Sequence, residues 1–214
     1  MPQLDGHALP RRRRGRPVGS DSAETRNRIL RAARQVINER GYQAATFQAI
    51  ALTAGLSRPT LHYYFATREE IFETLVGEAN YVMAECIAKA QRHGTLVDQL
   101  SALVAAIHEA DYRDRSTFAF LVSARLEASR NPELSSGSDS DMRTFLTRLV
   151  AEAVARGELR ADTAQEAVVD MVHSMLWGVG FYAGFVDDAA DMYVITKQLS
   201  KVFSEGLLGT LPVP

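Results

Sequence analysis

Apolar positions recur at three- and four-residue steps along almost the whole chain from Asp21 onward. This spacing places them on one face of an α-helix, and no stretch shows the sustained two-residue alternation of a β-strand. The pattern therefore predicts an all-α protein with about nine helices. The helices are expected over 22–40, 46–53, 57–63, 67–92, 96–111, 115–129, 138–156, 164–186 and 189–206.

Four of the predicted helix starts have the form Ser/Thr-x-x-acid. In this arrangement the hydroxyl accepts a hydrogen bond from the third helical amide, and the acid reaches back to the amide of the capping residue. Each of the four opens an apolar-periodic segment, so the matches support one another. The four begin at Thr67, Thr95, Ser138 and Thr163.

Two of the predicted helices are unusual. The helix 67–92 is long, and its apolar residues form one stripe, so it is suited to connect two parts of the molecule. The helix 164–186 is apolar over more than one face, which predicts burial on nearly all sides by its own bundle, a second chain or a ligand.

Charge is distributed unevenly along the chain. The 214 residues carry a formal net charge of −2, which by itself argues against a nucleic-acid partner. Residues 1–65, however, hold eleven Arg against four acidic residues, whereas the remainder holds 13 basic and 22 acidic residues. Such asymmetry is typical of a protein with a polyanion-binding end.

Several function classes are disfavoured by the same composition. Cys86 is the only cysteine, so no intrachain disulfide or cysteine-rich zinc site is expected. No apolar run is long enough to span a bilayer, and the Arg run 11–14 does not lead into a signal-peptide core, so we expect a cytoplasmic protein. Without a nucleophile–base pair, a phosphate loop or a paired His motif, we predict no enzyme, no cofactor and no metal site.

Residues 41–65 have the pattern of a helix-turn-helix. Thr46 and Ser57 are placed to cap two short helices, and Gly55 provides the positive φ that the turn requires. Ile50 and Leu61 belong to its small predicted core. The segment 57–63 is then the recognition helix for a major groove.

One block of residues resembles the DNA-binding domain of TetR-family transcriptional regulators. It consists of Gly41-Tyr42, Thr46, Ile50-Ala51, Ala54-Gly55-Leu56-Ser57, Thr60-Leu61, Tyr64-Phe65 and Ile71-Phe72. The resemblance implies an all-helical homodimer with an amino-terminal DNA-binding head and a body that holds a small-molecule pocket. The implied division is a basic, disordered arm at 1–20, a head at 21–66 and an effector-binding and dimerisation domain at 67–214.

The resemblance also implies roles for individual residues. Gln48, Arg58 and Pro59 match base-reading positions, and an Arg there suits guanine O6 and N7. His62 departs from the pattern, because the family usually has Tyr at this phosphate-contacting site. The remaining matches to helix caps and phosphate contacts are Thr46, Ser57, Thr60, Tyr63, Tyr64 and Arg68.

The arm contains Arg14-Gly-Arg16-Pro, the core of an AT-hook, a segment that lies in the minor groove of A·T-rich DNA. The negative potential of a narrow minor groove attracts Arg. A solvated tail, a chance match to a nuclear-localisation-like basic run and general phosphate affinity are the alternatives, but the position directly before a helix-turn-helix favours contact with DNA.

The body has two further sets of candidate residues. We expect an apolar effector pocket and, because the family dimerises through its last two long helices, an interface on 164–186 and 189–206. Core packing is the alternative for each pocket candidate. The pocket candidates are Phe118, Phe120, Leu121, Met142, Phe145, Met175, Trp177 and Phe181, and the interface candidates are Val179, Tyr182, Val186, Ile195, Leu199 and Val202.

These observations together predict a repressor that binds a near-palindromic operator as a dimer and is released by a small, apolar effector. An activator of the same type and an arm-dominated architectural binder of A·T-rich DNA are the alternatives. The sequence names neither the effector nor the operator.

Overall fold

A computed structural model describes residues 18–134, 138–185 and 189–205, and in these ranges the protein is helical without any strand. The all-α prediction is therefore confirmed, and the predicted helix ends lie within a few residues of the observed ones. The α-helices are α1 (Val18–Arg40), α2 (Phe47–Ala54), α3 (Arg58–Tyr64), α4 (Arg68–Ala90), α5 (Leu96–Arg113), α6 (Arg115–Arg130), α7 (Ser138–Ala155), α8 (Gln165–Phe185) and α9 (Ala189–Glu205).

Side-chain caps account for most of the helix starts. The hydroxyls of Thr46, Ser57, Thr67 and Thr95 each accept from the backbone amide three residues on. The predicted return bond differs at α4, because the Glu70 carboxylate accepts from the amide of Ala66, at 2.7 Å, and not from that of Thr67.

At α5 the Thr95 cap is as predicted, and the amide of Leu96 donates in addition to the Glu158 carboxylate from beyond α7, at 2.7 Å. The predicted cap of α8 differs. The helix α8 begins at Gln165, so the capping position is Ala164 and not Thr163. Ser138 lies where side chains are not described.

The amino-terminal head consists of α1, α2 and α3 with the first turns of α4. The turn between α2 and α3 depends on Gly55, whose φ of 62° is in the left-handed region that favours glycine. Of the seven residues of α3, only Leu61 is buried, with no exposed area. Leu61 is therefore the one fully buried anchor of this helix, and most of the remaining surface of α3 faces outward.

The body is a bundle of the remaining helices, and α4 belongs to both parts. Its amino-terminal residues Ile71, Phe72 and Leu75 pack into the head, while Cys86 and Ile87 pack into the body, so the hydrophobic core continues from α1 to α8. In the bundle, α5 packs on α4 and on α9, and α8 packs on α6 and on α7. The stripe predicted along α4 is confirmed. No helix among the described residues is long and apolar enough to cross a membrane.

A polar seam joins α1 of the head to α6 of the body. The Arg34 guanidinium, whose side chain is 11% exposed, pairs with the Asp114 carboxylate (Nη1 to Oδ2, 2.9 Å) and also donates to the Thr117 hydroxyl. One turn further on, the Asn38 carboxamide donates to the Ser116 carbonyl at 3.0 Å. The head is thus attached to the start of α6 by paired polar groups.

Asp114 is the central residue of this seam. Its carboxylate accepts from the Ser116 amide and so caps α6. Burial alone would raise the pKa of Asp114, but the hydrogen bonds of Ser116 and Thr117 and the charge of Arg34 hold the pKa below its usual value. The charged form is therefore favoured at neutral pH.

Leu61→Ala tests how α3 is held. We expect a loss of about 3 kcal/mol in the free energy of unfolding, because truncation leaves a cavity under a helix with no other buried residue. Leu52→Ala on α2 is the control, since Leu52 is 78% exposed and its truncation should change stability by less than about 0.5 kcal/mol. Urea unfolding curves give the free energy of unfolding of both variants. Equal losses of stability in the two would contradict the role of Leu61 as the anchor of α3.

Candidate nucleic-acid interface and ligand cavity

The residues predicted to contact DNA are brought together on the outside of the head. Gln48 on α2 is exposed, as are Arg58, Pro59 and His62 on α3. Tyr63 is 83% exposed, the largest exposure of any apolar or aromatic side chain on the head. Exposure of large apolar side chains to water is unfavourable in free energy, and the surface that they form is suited to bind another molecule.

The hydroxyl groups of this surface are held by the helix caps themselves. Ser57 Oγ accepts from the Thr60 amide at 3.2 Å and lies 2.7 Å from the Thr60 hydroxyl. Thr46 Oγ1 accepts from the Ala49 amide at 3.1 Å. Because a hydroxyl can donate while it accepts, each is still able to donate to a phosphate oxygen.

Aromatic contacts fix the orientation of the larger side chains. The His62 ring stacks on Phe47 of α2, with centroids 4.3 Å apart and an interplanar angle of 18°. Tyr63 and Tyr64 meet edge to face at 5.2 Å. The His62 ring thus covers Phe47 and joins α3 to α2.

Arg68, at the first position of α4, is held by a cluster around Tyr42. The guanidinium lies 4.2 Å from the centre of the Tyr42 ring and 3.5 Å from the Glu69 carboxylate. Tyr42 donates its hydroxyl proton to Glu69 at 3.0 Å. Burial, followed by this bond to Glu69, raises the pKa of Tyr42. The cluster leaves Arg68 27% exposed, positioned in advance for an anion.

The same cluster is connected to the end of α6. The Glu127 carboxylate is buried and accepts from the Tyr42 amide at 3.3 Å and from the Asn131 carboxamide at 3.3 Å. Gly41 has a φ of 80°, and a Cβ there would lie 3.3 Å from Glu127 Oε1. A side chain at this position would therefore be strained and would crowd the carboxylate. Arg14 and Arg16 of the arm lie outside the described residues.

A second candidate site is a cavity of about 70 Å³ inside the body. Residues of α4, α5, α6, α7, α8 and α9 line it, it is partly open to the outside, and apolar atoms dominate its surface. Its walls contain no Asp, Glu, Lys or Arg among the residues that the structure describes. The lining residues are Asn80, Met83, Val104, Ile107, Phe118, Leu121, Val122, Met142, His173, Leu176, Trp177, Val179, Gly180 and Thr196.

Half of the predicted pocket residues lie elsewhere. Phe118, Leu121, Met142 and Trp177 line the cavity. Phe120 is fully buried and packs edge-on against Phe72 in the core shared with the head, with centroids 5.7 Å apart. Phe145, also buried, borders a separate groove between α4 and α7, and neither Met175 nor Phe181 reaches the cavity.

Met175 and Phe181 do not reach the cavity because α8 is apolar on two faces, of which only one lines the cavity. Cavity residues occupy one face of this helix, whereas Met171, Phe181 and Phe185 share the opposite face and are 51%, 49% and 42% exposed. The rings of Phe181 and Phe185 lie 5.5 Å apart. Phe181 thus extends an apolar outer surface that no other described residue covers.

The predicted interface residues are distributed differently. Val179 lines the cavity and does not lie on the outer face of α8. Tyr182, Ile195, Leu199 and Val202 are partly buried. Val186 lies outside the described residues.

Sequence reasoning missed the polar residues of the cavity. Asn80 is the only cavity-lining residue of α4 with a polar side chain, and Thr196 and His173 contribute from α9 and α8. The Trp177 indole donates to His173 Nε2 at 2.9 Å. The i,i+4 spacing of His173 and Trp177 was the available signal, since it places both on one helix face.

Cys86 faces away from solvent on the apolar stripe of α4 and is 3% exposed. Burial raises the pKa of its thiol to about 11. Since the thiolate is the reactive form, this cysteine is a packing residue. The described parts of the chain contain no group of three or more metal-ligating side chains.

Comparisons with known proteins agree with the geometry of the head. Residues 29–75 match the family of bacterial regulatory proteins described as the tetR family. The HTH-type transcriptional repressor BepR of Brucella suis is 27% identical over 172 residues, which cover 76% of this chain and 82% of BepR. The matched segment contains α2 and α3 and the start of α4, so the similarity to the tetR family covers the helix-turn-helix of the head.

Two solved structures are similar over nearly the whole chain. The fatty acid degradation regulator FadR of Bacillus halodurans superimposes with a TM-score of 0.71 at 18% identity, over 92% of this chain and 100% of that one. FadR of Bacillus subtilis, solved in complex with stearoyl-CoA, gives 0.69 at 16% identity, over 85% and 98%. At these identities the likeness shows the fold of the body and no more.

Proposed function

We propose that this chain, a TetR-like DNA-binding transcriptional regulator, acts as a homodimeric repressor whose operator affinity falls when a small apolar molecule occupies the cavity of the body. The observation that carries the proposal is the outward-facing α3, which buries only Leu61 and exposes Arg58 and Tyr63. A helix exposed in this way is suited to a major groove. BepR, a named repressor, supports the direction of control.

The cavity has a physical route to the DNA-binding surface. Asn80 and Met83 belong to α4, which begins at Arg68. Phe118, Leu121 and Val122 belong to α6, which is attached to α1 by the Arg34–Asp114 seam. A ligand that displaces α6 therefore acts on the head through paired polar groups, and one that displaces α4 acts through the apolar contacts of Ile71 and Phe72. FadR of Bacillus subtilis holds stearoyl-CoA, which supports a ligand for this fold.

The apolar outer face of α8 supports the dimer. Met171, Phe181 and Phe185 form an exposed stripe that a monomer would leave in water. A two-fold axis across this face would bury the stripe against its own copy. The two α3 helices would then enter successive major grooves, about 34–36 Å apart.

The experiment that tests this function is selection of bound fragments from the organism's own genomic DNA by the purified full chain. We expect a near-palindromic site close to the gene for this protein, bound by two chains. Fragments without a shared sequence, or uniform A·T-rich fragments, would contradict a regulator and favour an architectural binder. Transcription from the recovered promoter, measured with and without the protein, then separates repression from activation.

Arg58→Ala should weaken binding to the recovered site by about 1–3 kcal/mol and relax specificity at one guanine, because a bidentate base contact is lost. Arg160→Ala is the matched control, since Arg160 is an 85%-exposed Arg of the body that pairs with Asp162. Titration of fluorescent DNA with each substituted base pair gives both values. Equal loss at every sequence would assign Arg58 to phosphate and not to a base.

The arm is tested by the salt dependence of binding. If Arg14 and Arg16 lie in the minor groove beside the operator, the double variant Arg14→Ala with Arg16→Ala should reduce the slope of log affinity against log salt by about two. The sequence preference read by α3 should remain. An unchanged slope would place the arm away from DNA.

Phe181→Glu should weaken the homodimer by placing two charges in an apolar contact. Sedimentation equilibrium at micromolar concentration should show a monomer for this variant and a dimer for the original chain. Tyr81→Glu on α4 is the control, because Tyr81 is 65% exposed and does not belong to the α8 face. A Phe181→Glu protein that remains dimeric would exclude this face as the interface.

A further inference from the structure

We propose that the part of the effector that the cavity encloses is uncharged and mainly apolar with one hydrogen-bonding group, and that the Asn80 carboxamide on α4 recognises that group. This inference rests on the proposed function and narrows it to a class of ligand. It follows from the composition of the cavity wall, from the hydrogen-bonding state of its few polar groups and from its volume.

The first step concerns charge. The described wall contains no acidic or basic side chain, and its surface is almost entirely apolar. An ionised carboxylate, phosphate or ammonium group inside this cavity would lose its hydration without gaining a counter-ion, which is among the largest penalties in a protein interior. The cavity therefore selects against charged groups on the part of a ligand that it encloses.

The second step identifies the polar group that is available to a ligand. His173 Nε2 is occupied by the Trp177 indole, and His173 and Thr196 have further interactions of their own. Asn80, by contrast, forms no hydrogen bond with any other residue that the structure describes. Its carboxamide offers two donors and one acceptor from an otherwise apolar section of α4. A carbonyl or hydroxyl oxygen on the ligand would satisfy it.

The third step concerns size. An apolar cavity of about 150 Å³ accommodates benzene, and this one has about half that volume at about 70 Å³. A ligand with a six-membered ring therefore has to move the walls apart. Asn80 and Met83 of α4 line the cavity together with residues of five other helices, Trp177 and Gly180 of α8 among them. Occupation of the cavity would thus press on α4, the helix that carries Arg68, as well as on its other walls.

The chain provides its own reporter for this ligand. Trp177 is its only tryptophan and lies in the cavity wall. Four probes share a cyclohexane ring and differ in one group: cyclohexyl methyl ketone, ethylcyclohexane, cyclohexanecarboxylate and cyclohexylmethylammonium. Binding of each to the full chain is followed by Trp177 emission and, independently, by the shift of the thermal unfolding midpoint.

We expect the ketone to bind about three- to tenfold more tightly than the hydrocarbon, the contribution of one neutral hydrogen bond, and both ions to bind at least about a hundredfold more weakly. Asn80→Leu should bring the ketone to the affinity of the hydrocarbon. Gln91→Leu, which removes a carboxamide from the exposed end of α4, should leave the preference unchanged.

Three results would overturn the inference. The first is an ion that binds as tightly as the ketone, and the second is a ketone preference that survives Asn80→Leu. The third is the failure of all four probes, at their solubility limits, to change either the emission or the unfolding midpoint. Because these measurements use the protein without DNA, they are independent of operator binding. A chain that binds an operator but prefers an ion would retain the proposed function and lose only this ligand class.

Discussion

The polar seam between α1 and α6 is the constraint on which the arrangement of head and body depends. Arg34 is nearly buried, and a buried guanidinium is tolerated only with partners, which Asp114 and Thr117 supply. Glu127 forms a second polar contact between α6 and the head, at the far end of α6, where its carboxylate accepts from the Tyr42 amide. Both ends of α6 are therefore bound to the head, while its middle forms a wall of the cavity. A movement of α6 cannot remain local.

The helix α4 provides the second connection between head and body, and this connection is apolar where the seam is polar. Its contacts with the head are apolar, through Ile71 and Phe72, and an apolar contact tolerates small sliding movements better than directional hydrogen bonds do. Arg68 at its start lies between the Tyr42 ring and Glu69. The head thus has one contact that can slide and one that is fixed in direction.

Most of the fold was predictable because local signals determine it. Helix periodicity, the Thr and Ser caps and Gly55 each act within a few residues, and the structure agrees with them. The body was harder, because a residue's place there depends on which helix lies opposite. Phe181 and Trp177 are equally apolar, yet one faces solvent and the other the cavity. Asn80 gave no periodic signal, since a single polar residue in an amphipathic helix is ordinary. Its meaning comes only from the five other helices around the cavity.

The free energy of the hydrogen bonds in the seam is similar to the coupling free energy that a ligand-controlled regulator requires. Allosteric coupling between two sites is typically about 1–3 kcal/mol, and a net intramolecular hydrogen bond contributes about 1 kcal/mol. Distortion of one or two bonds among Arg34, Asn38 and Glu127, at about 1 kcal/mol each, corresponds to a change in operator affinity of about 5- to 30-fold, within the range of such coupling. A ligand does not need to unfold any element or to cross the molecule with a large movement. It needs only to favour a position of α6 in which those bonds are longer than 2.9 to 3.3 Å.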